Sequence, residues 1–119
     1  MMQTPSTTVY RRGDVVLVPF PFTDLSGFRN RPALVVSNDA HNQATGDLII
    51  AQITGNVAGR PRNGDHYISE WQQAGLLAPS LVRAKLATLT SMRVRRAVGQ
   101  MPIADMQAVE GNLRTTLVL

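Results

Sequence analysis

In the stretch FRNRPALVVS, residues 28 to 37, an arginine and a proline stand directly before a run of apolar, largely β-branched residues. Arg31 is permanently charged, and its planar fork of donors suits bidentate contact with phosphate or carboxylate. Two readings stand. It is a solvated charge at a strand end, or a guanidinium aimed into a pocket that handles an anion. The rest of the chain is chemically similar. Lys plus Arg is 12 against 8 Asp plus Glu, a net charge of +4, and Lys85 is the only lysine. Such an arginine excess points to a polyanionic partner without specifying it, although a genomic preference for arginine gives the same count. The common catalytic signatures are missing: no phosphate-cradling glycine loop with its lysine, no HExxH and no GxSxG. No cysteine is present, which excludes disulfides and thiolate metal sites. His41 and His66 are too few for an ordinary metal site and read as loop or strand-edge residues.

Those side chains need elements to hold them. A chain of 119 residues, 44% hydrophobic and 17% charged, is one domain in size with enough apolar content for a core. Residues 1 to 11 are polar and read as a flexible tail, leaving 12 to 119 as a single domain. The N-terminus lacks a signal-peptide core, and no run approaches the roughly 18 apolar residues of a membrane span, so the expected location is cytoplasmic. GDVVLVPF predicts a buried strand. PFTDLSGFRN then gives a loop that is long for a hairpin connection and therefore a functional suspect, flanked by Phe20, Phe22 and Phe28 as packing or base-stacking rings.

Pro32 fixes the start of the strand ALVVS, NDAHNQATGD is a turn-rich link, and LIIAQIT is a third strand. GNVAGRPRNGD, with Arg60 and Arg62, reads as a mobile, positively charged loop. HYIS predicts a short strand. EWQQAGL predicts one helical turn capped by Ser69 and stopped by Gly75, with Trp71, Leu76 and Leu77 plugging a small core. APSLVRAKLATLT and RVRRAVGQM give two more strands. After Pro102, Ile103, Met106, Val109, Leu113 and Leu117 fall on one helical face, with Asp105 in the first turn where the macrodipole favours an anion. Strands first and one terminal helix predict a mainly β fold, a small antiparallel barrel or sheet with the helix packed on it.

Taken in order, RRGDVVLVPFPFTDLSGFRNRPALVVSND, DLIIAQITG, GLLAPSLVRAKLATLT and VRRAVGQM followed by a helix resemble the MazF/PemK family of toxin ribonucleases from toxin–antitoxin systems. The resemblance runs from about Arg12 to the end, and GDVVLVPFPFTD, RPALVVS, QIT, PSLVRAKLATL and VGQM are its most specific parts. It implies an SH3-like barrel of five to six largely antiparallel strands with a C-terminal helix, and a homodimer. It implies sequence-selective, metal-independent cleavage of single-stranded RNA to cyclic phosphate and 5′-hydroxyl ends, with no cofactor. It also implies neutralisation by a cognate antitoxin whose disordered acidic tail occupies the RNA groove. In the family the arginine of the RP pair and the threonine of IT are active-site residues, which correspond to Arg31 and Thr54.

Such cleavage has the 2′-hydroxyl attack its own phosphodiester, so it needs a proton acceptor, a stabiliser of the phosphorane and a proton donor to the leaving oxygen. Arg31 suits the second task. Thr54 can donate or relay a proton, whereas by residue type alone a threonine before Gly55 is an ordinary turn residue. Arg29, Arg60, Arg62 and Arg83 lie in or beside the loops that would border the Arg31 pocket, and read as RNA-backbone contacts or as solvated charges. Lys85 can bind phosphate beside Arg31. The general base is the gap. Arginine stays protonated at any working pH, and where some family members place a carboxylate this chain has Ala84 and Lys85. Asp24, His41, Asp65 and His66 are the remaining candidates. Two other functions stay open: a non-enzymatic toxin of the same fold that binds gyrase, and an inactive nucleic-acid-binding barrel.

Overall fold

The computed structural model describes residues 9–19 and 29–119. The tail residues 1–8 and the loop residues 20–28, with Phe20, Phe22, Asp24 and Phe28, lie outside the described residues. In chain order come β1 (Asp14–Pro19), β2 (Asn30–Val35), α1 (Asp39–Thr45), β3 (Asp47–Thr54), β4 (His66–Tyr67), β5 (Leu81–Thr90), β6 (Arg96–Gln100) and α2 (Ile103–Leu117). The strands pair antiparallel in the order β4-β5-β3-β2-β1-β6 and curl into a half-barrel. The expected mainly β fold with a terminal helix is what the chain adopts.

Side chains alternate across a strand, so the apolar runs supply two cores rather than one. Val15, Leu34, Ala51, Ile53 and Val82 point to one face and meet Ile68, Ala74, Met101 and Val109. Val16, Val18, Ala33, Val35, Leu48 and Ile50 point to the other, where Tyr10 and Val94 pack on them. Both faces being covered explains why β1 and β3 read as near-continuous apolar segments.

Three local expectations change. NDAHNQATGD is more than a turn-rich link, because its centre is the two-turn helix α1. Asn38 caps it by accepting the His41 N–H at 2.7 Å, and Gly46 ends it in the left-handed region at φ 71°. Leu77 does not join the plug with Trp71 and Leu76: it is 99% exposed, while those two pack on the first core. The apolar face of α2 seats only through its middle. Val109 is buried and Met106 and Leu113 pack beside it, but Ile103 is 77% exposed and Leu117 also faces solvent.

What holds the start of α2 is polar. Asp105 is buried, and its carboxylate accepts from the Ser69 amide at 2.8 Å, the Ser69 hydroxyl at 2.9 Å and the Glu70 amide at 3.3 Å, with His66 Nε2 at 2.7 Å. Burial by itself raises the Asp105 pKa. The hydrogen bonds from Ser69, His66 and Glu70 outweigh it and hold the carboxyl below its ordinary range. Ser69 therefore serves α2, 36 residues further along the chain. Arg12 does similar work at mid-helix: its amide donates to Asp39 at 2.9 Å, and its guanidinium reaches the Val36 carbonyl and Glu110 of α2.

The helical turn 70–75 lies tight on β6. Gly75 takes φ +82°, and a Cβ there would meet the Val98 carbonyl oxygen at 2.0 Å, while one on Gly99 would meet the Ala74 carbonyl oxygen at 2.3 Å. Two glycines facing each other let the backbones touch. No helix among the described residues is long and apolar enough to cross a membrane.

Candidate active site

β2 runs against β3 with Ala33 opposite Gln52, Leu34 opposite Ala51 and Val35 opposite Ile50. Just beyond β2, Val36 donates its N–H to Ile49 at 2.9 Å. Backbone groups alternate sides along a strand, so positions 34 and 32 also turn toward β3. Position 32 is proline, which has no N–H to give. The paired ladder accordingly ends at Ala33, and the two strands are free to part beyond it.

Continuing the same register two residues brings Arg31 level with Thr54. On the other side Arg31 is paired with Val18 of β1, which fixes its height on the sheet. Both residues belong to the side of their strands that carries Ala33, Val35, Leu48 and Ile50. An anion lodged where the two strand ends part can therefore be offered a guanidinium from one and a hydroxyl from the other. Arg31 is half-buried and meets no side-chain partner among the described residues. Thr54 is also half-buried, and its hydroxyl oxygen accepts the Asn56 N–H at 3.2 Å, turning the chain as it leaves the sheet.

β5 carries the third group. Its register against β3 breaks between Ala51–Leu86 and Ile53–Val82, so Arg83, Ala84 and Lys85 together stand opposite Gln52 alone. That is a bulge, a device that re-aims side chains next to sites. Further along β5, Ala87 and Leu89 pack on the second core, the face that Arg31 shares. Lys85 is half-buried.

Arg83 is held elsewhere. Its Nε and a terminal nitrogen each lie 3.1 Å from an oxygen of Asp65, whose side chain is fully buried. The Arg62 amide adds a bond to Asp65 at 2.7 Å, and Asn112 of α2 donates to the Asp65 carbonyl at 3.2 Å. Burial raises the Asp65 pKa, but the Arg83 hydrogen bonds, the Arg62 amide and both positive charges together hold it below the carboxylate range. Arg83 thus anchors the segment that carries Arg60 and Arg62, both exposed between Thr54 and β4. Arg29 is exposed immediately before β2.

The candidate bases sort by their partners. Asp65 is committed to Arg83, and His66 to Asp105. His41 lies on α1 with its Nε2 sealed and unpaired, away from the Arg31 end of β2. Asp24 lies outside the described residues. Sequence reading missed both pairings because their members are far apart in the chain and nothing local marks them.

The fold has counterparts. A family model of PemK-like, MazF-like toxins of type II toxin-antitoxin systems matches residues 11–117. Among solved structures, the chain is similar to an endoribonuclease in complex with its cognate antitoxin from a mycobacterial species. That similarity has a TM-score of 0.73 and 24% identity, covering 92% of this chain and 96% of the other. MazF from Deinococcus radiodurans gives 0.74 and 24%, covering 95% and 100%. A MazE–MazF complex from the same organism gives 0.72 and 21%, covering 95% and 99%. At these identities the solved structures speak for the fold. A search of curated proteins finds no match.

Proposed function

We propose that this chain, which belongs to the PemK-like, MazF-like toxin family of type II toxin–antitoxin systems, is an endoribonuclease that cuts single-stranded RNA without a metal. What supports the reading is that Arg31 and Thr54 lie on one face of neighbouring strand ends, where Pro32 stops the ladder between β2 and β3. A phosphodiester seated there lies against two parallel guanidinium donors and a hydroxyl.

The 2′-oxygen attacks phosphorus, its proton passing to a base, and the pentacoordinate phosphorane gathers charge on its equatorial oxygens. Arg31 donates to those oxygens, and Lys85 adds positive charge from the bulge. The P–O5′ bond breaks, and the Thr54 hydroxyl, replenished from water, hands a proton to the departing oxygen. A 2′,3′-cyclic phosphate and a 5′-hydroxyl result. The base is water or a carboxylate from outside the described residues, since Asp65 and His66 are held by partners.

Arg29, Arg60 and Arg62 track the flanking phosphates, while Arg83 holds the 60–62 segment in place. A homodimer and an antitoxin with an acidic tail complete the reading, supported by the net charge of +4 and by the antitoxin complexes of similar structures. RNA as substrate implies action in the cytoplasm.

The direct test is incubation of the pure protein with single-stranded RNA in EDTA, followed by analysis of the ends. Cyclic-phosphate termini are expected. Intact RNA together with inhibited gyrase would replace the nuclease by a binding toxin. Reversing Arg60 and Arg62 to glutamate should weaken RNA binding about tenfold or more at low salt and much less at high salt. Each lost phosphate contact flattens the slope of log K against log salt by about 0.7. Affinity unchanged at every ionic strength would remove both residues from the groove.

A further inference from the structure

We propose that Gln52 reads the base of a nucleotide beside the scissile phosphate and so helps set which sequence is cut; this rests on the endoribonuclease reading above. Gln52 is 5% exposed, on a strand whose neighbouring residues are Ile50, Ala51 and Ile53. An amide so placed normally has hydrogen-bond partners, because an unpaired buried one is costly. Gln52 makes no side-chain hydrogen bond to a described residue. The one sealed, unpaired side-chain atom among the described residues is His41 Nε2, so the Gln52 amide keeps contact with solvent. Its amide therefore lies at the margin of the core rather than sealed within it.

The surroundings leave room there. Opposite Gln52 on β2 is Ala33, whose side chain is a single methyl. Opposite it on β5 is the three-residue bulge from Arg83 to Lys85. The strand period puts Gln52 on the same face as Thr54, about 6.6 Å along β3 from it. That distance suits a phosphate and its attached base, and is too long for two oxygens of one phosphate.

The chemistry divides in the same way. Arg31 and Lys85 offer only donors, which phosphate oxygens satisfy. A primary amide offers a donor and an acceptor together, and among the parts of RNA it is a base edge that uses both at once. Single-stranded RNA supplies bases that can be splayed from the stack and read along such edges.

The test is end-sequencing of fragments from a randomised RNA pool cut by the wild type, Gln52→Met and Gln52→Glu, each checked for folding by thermal melting. The wild type should show a base preference at one position flanking the cut. Gln52→Met should flatten it by roughly tenfold to a hundredfold while permissive sequences are still cleaved. Gln52→Glu, which keeps the acceptor and loses the donor, should move it toward bases that present a donor. As a readout that needs no variant, the Gln52 side-chain amide resonance should shift when a 2′-O-methyl oligonucleotide with the preferred base binds, and not with its abasic counterpart. An unaltered cleavage profile in a folded variant overturns the proposal. So does an equal slowing of every sequence, which would put the amide on phosphate, and so does an unmoved resonance. If wild-type protein leaves all RNA intact, the endoribonuclease reading itself has failed and the base contact goes with it.

Discussion

Arg31→Ala is expected to lower the rate of RNA cleavage by about a thousandfold or more while the melting temperature changes little. Removing one preorganised donor from a developing oxyanion typically lowers turnover by about 10²–10³, and here two parallel hydrogen bonds and a full charge go together. The fold should tolerate the change. Arg31 is half-buried at the end of its strand, no described residue depends on its side chain, and Pro32 still fixes the backbone. Arg31→Lys separates charge from geometry, because an ammonium keeps the positive charge but cannot span two equatorial oxygens. It should recover only a small part of the lost rate. Single-turnover rates on a fixed oligonucleotide measure both. An alanine variant that cuts at the wild-type rate would remove Arg31 from the chemistry.

The largest loss of stability is expected at Asp105. Asp105→Ala removes the buried acceptor shared by the Ser69 amide and hydroxyl, the Glu70 amide and the His66 ring. Losing the charged acceptor of several hydrogen bonds typically costs about 1.5–3 kcal/mol, or roughly 10 °C in Tm for a domain of this size. The same carboxylate gives stability a pH dependence. Its folded pKa lies below the unfolded value, so the folded state binds fewer protons. The stabilisation is complete above about pH 4, the unfolded carboxylate range, and is lost as pH falls through the lower folded value. Asp65 acts with the same sign. Melting curves from neutral pH downward should drop steeply below about pH 4 in the wild type and more gently in Asp105→Ala. Parallel profiles would show that the carboxylate is not linked to folding.

Much of this architecture can be read from local pattern. The β-branched runs of β1 and β3, the position of Arg31 at a strand mouth and the terminal helix are all written in short stretches whose periodicity or breakers need no distant partner. What sequence pattern hides is pairing at long range. Asp105 is recognisable as a first-turn anion, but its partners lie 35 to 39 residues earlier. Arg83 looks like another groove cation until Asp65, 18 residues back, claims its fork. Ile103 and Leu117 fit the helical face by spacing, yet the sheet beneath α2 reaches only its central turns. Gln52 passes unnoticed for a different reason. A single amide amid isoleucines draws attention only once its missing partner is known.

The end of the ladder at Pro32 has a bearing on how such toxins diversify. Arg31 and Thr54 are placed by the strands they end, β2 and β3, and not by the segment from Gly55 to Asp65. On the proposed reading, insertions, deletions or exchanges of charge there would alter which transcripts are gripped without retuning the scissile step. On that reading, lineages carrying this chain would acquire new targets through changes in the single connection from β3 over to β4, while the strand ends are inherited unedited.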